Sequence, residues 1–426
     1  MSTPYDFFKY EKKTLSTGGI PLVDIADQFG TPVYVYSADA FLTPLRELQK
    51  GLKDVDHLIC FAVKSNSNLA VLKMLSEAGA GMDLVSGGEL YRASLAGVPS
   101  DKIVFSGVGK TPGEMIEALE RGIFSFNVES IPELLTLDAV AQKMEVKANV
   151  ALRFNPDVDA KTHPYISTGL KKNKFGLQKA EILDVAKNIG NYPGIEFKGL
   201  SIHIGSQLLS LSPMKDAFTR VLDLIKKLDL ILPMPISFVD LGGGVGITYK
   251  NEKAPTLKDY CKLIIQFFGP KAGLKHPLKL LIEPGRSLSG NSGVLLTEVL
   301  YRKARGTKDF LVVDAAMNDL IRPALYGSYH EIVAVDQAQT KGPKKKTDIV
   351  GPVCESSDCF ASDRPLSPKL QSGDLMAILS AGAYGFTMSS NYNTRPRPPE
   401  VLVREGKVEL IRDRENYDDL IRGEHV

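Results

Sequence analysis

Short apolar runs alternate with amphipathic stretches over the first two thirds of the chain. The runs are apolar almost throughout, as in strands buried on both faces, and the stretches between them repeat apolar residues about every 3.6 positions, as helices do. The pattern predicts eight strands: Leu58–Val63, Gly81–Val85, Ile103–Ser106, Phe124–Val128, Val150–Phe154, Gly199–Ile204, Phe238–Leu241 and Leu280–Ile282. The helices that it predicts are Asp39–Leu52, Leu69–Ala78, Glu114–Arg121, Ile131–Met144, Pro213–Leu230 and Leu257–Phe268. Such alternation predicts an α/β fold, a (β/α)8 barrel, and leaves a doubly wound open sheet as the alternative.

The pattern changes after Arg286, where strands follow one another without long helices between them. The predicted strands are Val294–Lys303, Phe310–Val313, Glu331–Val335, Leu375–Ser380, Val401–Val403 and Lys407–Ile411. Glycine and proline separate them, which indicates an all-β domain, a sandwich or a small barrel. We expect residues 1–30 to join this domain, residues 31–286 to form the barrel, and residues 287–426 to complete the β domain. The run Lys344–Lys346 is expected to lie in a solvated hairpin loop.

Composition narrows the class of protein. The chain has 426 residues with 43% apolar and 24% charged residues, which suits a globular protein of two domains. A net charge of +2 predicts neither a nucleic-acid nor a membrane partner. No stretch approaches the roughly 20 apolar residues of a membrane span, and the N-terminus has no signal-peptide core. The four scattered cysteines indicate a reduced, cytoplasmic protein, and Cys354 with Cys359 lacks the further ligands of a metal site.

The carboxyl ends of the predicted barrel strands are unusually polar. Functional residues of parallel barrels lie at these ends. The polar positions are Lys64, Asp83 and Ser86, Arg153 and Asn155, the run 201–207 with His203 and Ser206, the run 240–246 with Gly242–Gly244, and the run 282–286 with Glu283 and Arg286. Taken singly, Lys64 fits a strand-end lysine that reaches water, His203 a core histidine, and Gly242–Gly244 a tight exit from a strand. Their common position on one rim favours a shared function.

These residue types together describe a site for pyridoxal 5′-phosphate. A partly buried Lys64 amine is a nucleophile able to form a Schiff base with the cofactor aldehyde. His203 would stack on the pyridine ring, and Glu283 would keep the ring nitrogen protonated, so that the ring stabilises a carbanion at the substrate Cα. The phosphate would be bound by backbone and side-chain groups of Ser206, Gly242, Gly243, Gly244, Gly285 and Arg286.

The chain resembles the fold-type III pyridoxal phosphate-dependent decarboxylases, and specifically the diaminopimelate decarboxylase family. The motifs that carry the resemblance are, in chain order, Phe61–Lys64, His203–Gln207, Gly242–Gly244, Glu283–Arg286, Gly351–Ser356, Gly382–Gly385 and Tyr392–Arg397. The stretch from Thr162 to Gly176 is also similar to the family's. The resemblance therefore covers nearly the whole chain, with Ser65, where alanine is frequent, as a small departure.

This resemblance implies decarboxylation of meso-2,6-diaminopimelate to L-lysine and carbon dioxide. It also implies a homodimer with its sites at the subunit interface, in which Cys354 reaches the partner's site and reprotonates the carbanion. Lys64, His203 and Cys354 would be the catalytic residues. Those implied to bind the amino-acid substrate are Arg286, Arg322 and Tyr326 at the distal carboxylate, Glu355 at the distal ammonium, and Tyr384 beside the substrate and the cofactor phosphate.

Related reactions remain as alternatives at this point. Ornithine or arginine decarboxylases and carboxynorspermidine-type decarboxylases resemble the chain in the same barrel motifs. Arg322 with Tyr326, and the sequence Cys354-Glu355, favour a substrate that carries a second carboxylate. Alanine racemase has the same fold but an arginine at the pyridine nitrogen, so Glu283 argues against that activity.

Overall fold

A computed structural model of the protein describes residues 6–159, 169, 173–306 and 308–426. Within these residues the strands are, in chain order, β1 Lys9–Glu11, β2 Thr14–Thr17, β3 Ile20–Pro21, β4 Val33–Ser37, β5 His57–Ala62, β6 Gly81–Leu84, β7 Ile103–Phe105, β8 Ser125–Val128, β9 Ala148–Arg153, β10 Ile195–Ser201, β11 Phe238–Asp240, β12 Lys279–Ile282, β13 Gly293–Arg305, β14 Lys308–Val313, β15 Ile332–Ala334, β16 Lys345–Val350, β17 Cys359–Leu366, β18 Leu375–Ile378, β19 Glu400–Arg404 and β20 Lys407–Arg412. The helices are α1 Leu22–Phe29, α2 Ala38–Leu52, α3 Leu69–Glu77, α4 Gly87–Leu95, α5 Pro112–Arg121, α6 Ile131–Lys143, α7 Lys179–Lys187, α8 Ser212–Leu228, α9 Leu257–Phe268, α10 Arg286–Ser289, α11 Arg322–Tyr326 and α12 Tyr417–Leu420.

The chain divides into two compact units. The barrel unit comprises the described residues of 43–247 and 253–287. The β unit comprises those of 1–42, 248–252 and 288–426, so both ends of the chain contribute to it.

Strands β5 to β12 close into a parallel barrel in the order of the sequence, with β12 paired to β5. All eight predicted strands are confirmed, and closure rules out the doubly wound open sheet. The largest difference is at β10, which begins at Ile195 rather than Gly199. The predicted helices are confirmed as α2, α3, α5, α6, α8 and α9.

The interior of the barrel changes from apolar to polar along four of its strands, β7, β9, β11 and β12. An apolar layer is formed by Leu58, Cys60, Val104, Ala151, Phe238 and Leu281. Successive side chains of a strand point to opposite faces, so the residue two positions further on also faces inward. At the carboxyl ends these positions carry Ser106, Arg153, Asp240 and Glu283, all of which are buried. The barrel therefore has a buried polar layer next to an apolar one.

The β unit contains a three-stranded sheet, β1-β2-β3, and a larger sheet in the order β17-β16-β14-β13-β4-β19-β20, to which β18 and β15 are joined through β13. Its core includes Val33 and Val35 from β4, Val294 and Leu296 from β13, and Val401 from β19. All six predicted strands are confirmed as β13, β14, β15, β18, β19 and β20, whereas β4, β16 and β17 are strands that the sequence pattern did not predict.

The prediction for Lys344–Lys346 is wrong in part. Lys345 and Lys346 begin strand β16, and only Lys344 precedes it. The Lys345 ammonium lies 2.6 Å from the Asp309 carboxylate on the neighbouring strand β14, so this cross-strand ion pair holds the run in the sheet. In the part of the chain that the structure describes, no helix combines the length and the apolar character needed to cross a bilayer.

Candidate active site

Lys64 lies at the mouth of the barrel, in a 3-10 turn that directly follows β5. Its Nζ is 2.5 Å from Oδ2 of Asp83, which is fully buried at the end of β6. The pairing of Ala62 with Asp83 between β5 and β6 brings the two side chains together. The Lys64 side chain is 37% exposed, so its amine is held by a buried carboxylate and is still accessible from solvent.

A cluster of carboxyl groups surrounds Glu283 in the polar layer. Asn127 Nδ2 donates to Glu283 Oε1 at 3.2 Å and to Asp240 Oδ2 at 3.0 Å, and the Ser106 hydroxyl donates to Glu283 Oε1 at 3.3 Å. Burial, together with the charges of Asp240 and Asp83, raises the pKa of Glu283 well above its usual range. Burial also raises the pKa of Asp240, to which Glu283 is hydrogen-bonded. Of these two carboxyl groups, Glu283 is the one whose pKa lies further above its usual range, so the barrel favours its protonated form.

His203 faces this layer as a neutral imidazole. Burial lowers its pKa well below the usual range, and the positive charges of Arg153 and Lys64 act in the same direction. Its Nδ1 accepts a hydrogen bond from the Gly243 N–H at 3.2 Å, which only an unprotonated nitrogen can do. The Gly243 backbone therefore fixes both the tautomer and the plane of the ring.

Close backbone contacts and a left-handed conformation require glycine in the run Gly242–Gly244. A Cβ on Gly242 would lie 2.2 Å from Ile202 O, one on Gly243 2.1 Å from Glu283 O, and Gly244 has φ +108°. The Gly242 N–H donates to Asp240 Oδ1 at 2.9 Å and the Gly243 N–H to His203. The N–H groups of Gly242 and Gly243 thus already donate to groups of the barrel. Of this run, Gly244 is therefore the residue whose N–H we expect to bind the phosphate.

Arg286 and Ser206 meet on the same rim. Arg286 is buried and donates from Nε and Nη2 to the Ser206 hydroxyl, at 3.2 and 3.1 Å. Gly285 packs so closely that a Cβ would lie 3.1 Å from the Ala62 side chain and 3.2 Å from that of Ser65. Residues that the sequence assigned to the phosphate are therefore gathered beside the turn that carries Lys64.

The remaining predicted residues lie in the β unit. Cys354 and Glu355 are exposed on a loop in which the Cys354 N–H donates to Asn393 Oδ1 at 2.8 Å and the Val353 N–H donates to the buried Asp358 at 2.8 Å. Hydrogen bonds from Ser357 and from a tyrosine lower the pKa of Glu355.

Arg322, Tyr326 and Tyr384 are more protected in the same unit. Arg322 is only 5% exposed, while Tyr326 and Tyr384 are half-buried. Arg322 and Tyr326 begin and end the short helix α11, and Tyr384 has φ +54°. The predicted stretch from Thr162 lies mostly outside the described residues.

The residues at the barrel mouth fit pyridoxal phosphate. Buried polar atoms there have no hydrogen-bond partner among the described residues: Asp83 Oδ1, Asn127 Oδ1 and Ser201 Oγ. Such atoms are costly in a native protein unless a ligand or water satisfies them. An accessible amine, a protonated acid and a neutral imidazole beside them match the aldehyde, the ring nitrogen and the ring face of this cofactor.

Two polar members of the site had no assigned role in the sequence analysis. Asp240 was noted only as a strand-end residue, and Asn127 was not singled out. Asn127 has a signal in the pattern, because Ser125 and Asn127 alternate with the apolar Phe126 and Val128 on a strand of the barrel. In such a strand the polar alternate positions face the interior of the mouth.

Comparisons with known proteins identify the family of the chain. Residues 40–290 match the family model described as "Pyridoxal-dependent decarboxylase, pyridoxal binding domain". A diaminopimelate decarboxylase of Pseudomonas fluorescens is 49% identical over 422 residues, which are 99% of each protein. Diaminopimelate decarboxylase from M. jannaschii in complex with L-lysine has a TM-score of 0.93 and 40% identity, covering 100% of this chain and 99% of that one. The Helicobacter pylori enzyme complexed with L-lysine has a TM-score of 0.89 and 42% identity, covering 94% and 98%. The chain therefore belongs to the pyridoxal-dependent decarboxylases and, within them, to the diaminopimelate decarboxylase family.

Proposed function

We propose that this protein removes one carboxyl group of meso-2,6-diaminopimelate as carbon dioxide and yields L-lysine, with pyridoxal 5′-phosphate as its cofactor. The observation that carries the proposal is the barrel mouth, where Lys64, Glu283 and His203 lie together with buried polar atoms that have no hydrogen-bond partner among the described residues. Relatives that carry the name of this activity match the chain along almost its entire length.

We assign the barrel residues as follows. When bound, pyridoxal phosphate withdraws the electron pair that remains at the substrate Cα after carbon dioxide leaves. The Lys64 amine holds the cofactor aldehyde, and Asp83 orients that amine. Glu283 would hold a proton at the ring nitrogen, because its buried surroundings raise the pKa of its carboxyl group and favour the protonated form. His203 covers one face of the ring, and Ser206, Gly244, Gly285 and Arg286 bind the phosphate.

The residues of the β unit act on the other end of the substrate. Arg322 and Tyr326 bind the distal carboxylate, for which a guanidinium offers two parallel N–H donors. Glu355 binds the distal ammonium, and its lowered pKa keeps it anionic for that purpose. Tyr384 borders the substrate.

We further propose that the protein is a homodimer with shared sites and is cytoplasmic. Cys354 and Glu355 are exposed in the single chain, which suits residues that complete a site of a second copy. There the Cys354 thiol donates the proton that replaces carbon dioxide. The cysteines are all free thiols, as expected in a reducing compartment.

Release of carbon dioxide from meso-diaminopimelate, ornithine, arginine and lysine tests the proposed reaction. Diaminopimelate should be the preferred substrate, and Lys64→Ala should abolish turnover together with the absorbance of the bound cofactor. Lys279→Ala is the matched control, because Lys279 begins β12 at the opposite end of the barrel and pairs with Asp56. Preference for ornithine, arginine or lysine would contradict the proposal.

Subunit mixing tests the shared site. Lys64→Ala and Cys354→Ala proteins should each be nearly inactive, and an equal mixture that exchanges subunits should recover about one quarter of wild-type activity. The reason is that about half of the dimers are hybrids and each hybrid holds one intact site out of two. No recovery despite proven exchange would place Cys354 outside the partner's site.

A further inference from the structure

Arg322 is contacted by three side chains from two separate segments of the β unit. Its Nη1 lies 3.0 Å from Nε2 of His330, and its Nη2 lies 3.4 Å from the Ser328 hydroxyl. The guanidinium carbon lies 4.9 Å from the centre of the Tyr249 ring, and the Tyr249 ring meets that of His330 edge to face at 5.5 Å. Two contacts in its plane and one on its face thus define the orientation of the guanidinium.

The hydrogen bonds of His330 leave it only one protonation state. The side chain is fully buried, and its Nδ1 lies 2.8 Å from the carbonyl oxygen of Leu379. A carbonyl can only accept, so Nδ1 carries the hydrogen. Arginine can only donate, so Nε2 carries a lone pair toward Arg322. The imidazole is therefore neutral and serves as an acceptor aimed at the guanidinium.

The backbone around His330 is held without this imidazole. Arg364 donates from Nη2 to the His330 carbonyl at 2.6 Å. The Leu379 N–H donates to the Glu331 carbonyl at 2.8 Å, and the following strand β15 pairs with β18. The backbone of this segment therefore has hydrogen bonds of its own, and the bond from Nε2 acts on the orientation of the Arg322 guanidinium.

We propose that His330 is a positioning residue for substrate binding, because its neutral imidazole fixes the Arg322 guanidinium in the orientation that binds the distal carboxylate. The inference rests on the role proposed above for Arg322. A bidentate carboxylate contact depends on the plane and rotation of the guanidinium, and an arginine held in advance loses less conformational freedom on binding.

Two polar substitutions separate the two bonds of the imidazole. His330→Gln can place an acceptor where Nε2 now faces Arg322, whereas His330→Asn can replace only the Nδ1 donor to Leu379. For His330→Asn we expect KM for diaminopimelate to rise about 10-fold or more, since a hydrogen bond to a charged group is worth about 1.5–3 kcal/mol. His330→Gln should stay within about 3-fold of wild type. In both variants kcat and cofactor absorbance should be retained.

Calorimetric titration of the holoenzyme with L-lysine adds a readout that does not depend on turnover, and the Asn variant should bind it more weakly than the Gln variant. His57→Leu is the control, because this half-buried histidine also contacts a carbonyl, that of Val55 at 2.9 Å, at the start of β5. Equal KM values for the Asn and Gln variants, or a loss of kcat alone, would overturn the inference. Failure of the proposed function looks different, because wild-type protein itself would then not decarboxylate diaminopimelate.

Discussion

The buried ion pair between Lys110 and Glu133 contacts the backbone of Asn127, a residue of the polar layer. Lys110 Nζ lies 2.6 Å from Glu133 Oε1, 2.8 Å from Gly107 O and 2.8 Å from Asn127 O. The side chains of the pair are only 1% and 7% exposed. Asn127 is also the residue whose amide joins Asp240 to Glu283. Removal of the lysine should therefore affect both stability and the site.

The expected loss for Lys110→Met follows from these contacts. Removing one partner of a buried pair costs about 3–5 kcal/mol, because the other charge stays buried without compensation. The Glu133 carboxylate keeps the hydrogen bond from the Glu129 N–H at 2.9 Å, whereas the carbonyls of Gly107 and Asn127 lose the Lys110 ammonium as a donor. We expect a decrease of about 4 kcal/mol in the free energy of unfolding. The double variant with Glu133→Gln carries no buried charge and should recover at least about 1.5 kcal/mol of it.

Urea unfolding of the cofactor-free protein measures these free energies. Circular dichroism is the suitable signal, because the chain has no tryptophan. Lys73→Met is the matched control, since Lys73 and Glu77 form an exposed pair at 3.3 Å, and it should change stability by no more than about 0.5 kcal/mol. The reasoning is refuted if the double variant is no more stable than Lys110→Met alone, or if Lys73→Met costs as much as Lys110→Met.

Three further predictions concern pH and backbone packing. Burial raises the pKa of Glu283, so unfolding above about pH 4.3 releases its proton and the free energy of unfolding falls as the pH rises. In urea titrations at several pH values, Glu283→Gln should flatten this fall, and the variant should not decarboxylate the substrate. A pH dependence equal to that of the wild type would contradict the assignment. Burial opposes ionisation of Glu415, but hydrogen bonds from Arg397 lower its pKa to about 2. Its contribution to stability is therefore present above about pH 4.3 and lost toward pH 2. Between these pH values the unfolding temperature of Glu415→Gln should depend less on pH than that of the wild type, and an equal dependence would refute this. Gly243→Ala places a Cβ 2.1 Å from Glu283 O, so it should lower the free energy of unfolding by about 1–3 kcal/mol and weaken cofactor binding. Gly113→Ala is the control, because this glycine lies in open space on α5 and alanine there should leave stability unchanged or increase it. Urea unfolding and cofactor titration measure both effects.

The positions of the barrel strands could be predicted from the sequence because burial on both faces requires nearly continuous apolar runs. The same runs ended in polar residues such as Lys64, His203 and Glu283, and a parallel barrel places all such ends on one rim. Strands β16 and β17 escaped prediction because charged residues such as Lys345 and Arg364 interrupt their apolar pattern, as is common at and near the edge of a sheet, where β17 is the last strand and β16 is its neighbour.

Amino-acid order alone therefore determined the barrel, the rim and the residue types that face the cofactor. Only the tertiary structure decided which of these residues touch. Closure of the barrel brings Asn127 of β8 against Asp240 and Glu283, and it is this shared, buried environment that raises the pKa of Glu283. Packing of the β unit likewise joins Tyr249, Arg322 and His330. The physical reason is that hydrogen bonds and desolvation depend on distances between residues far apart in sequence, which local hydrophobic patterns do not encode.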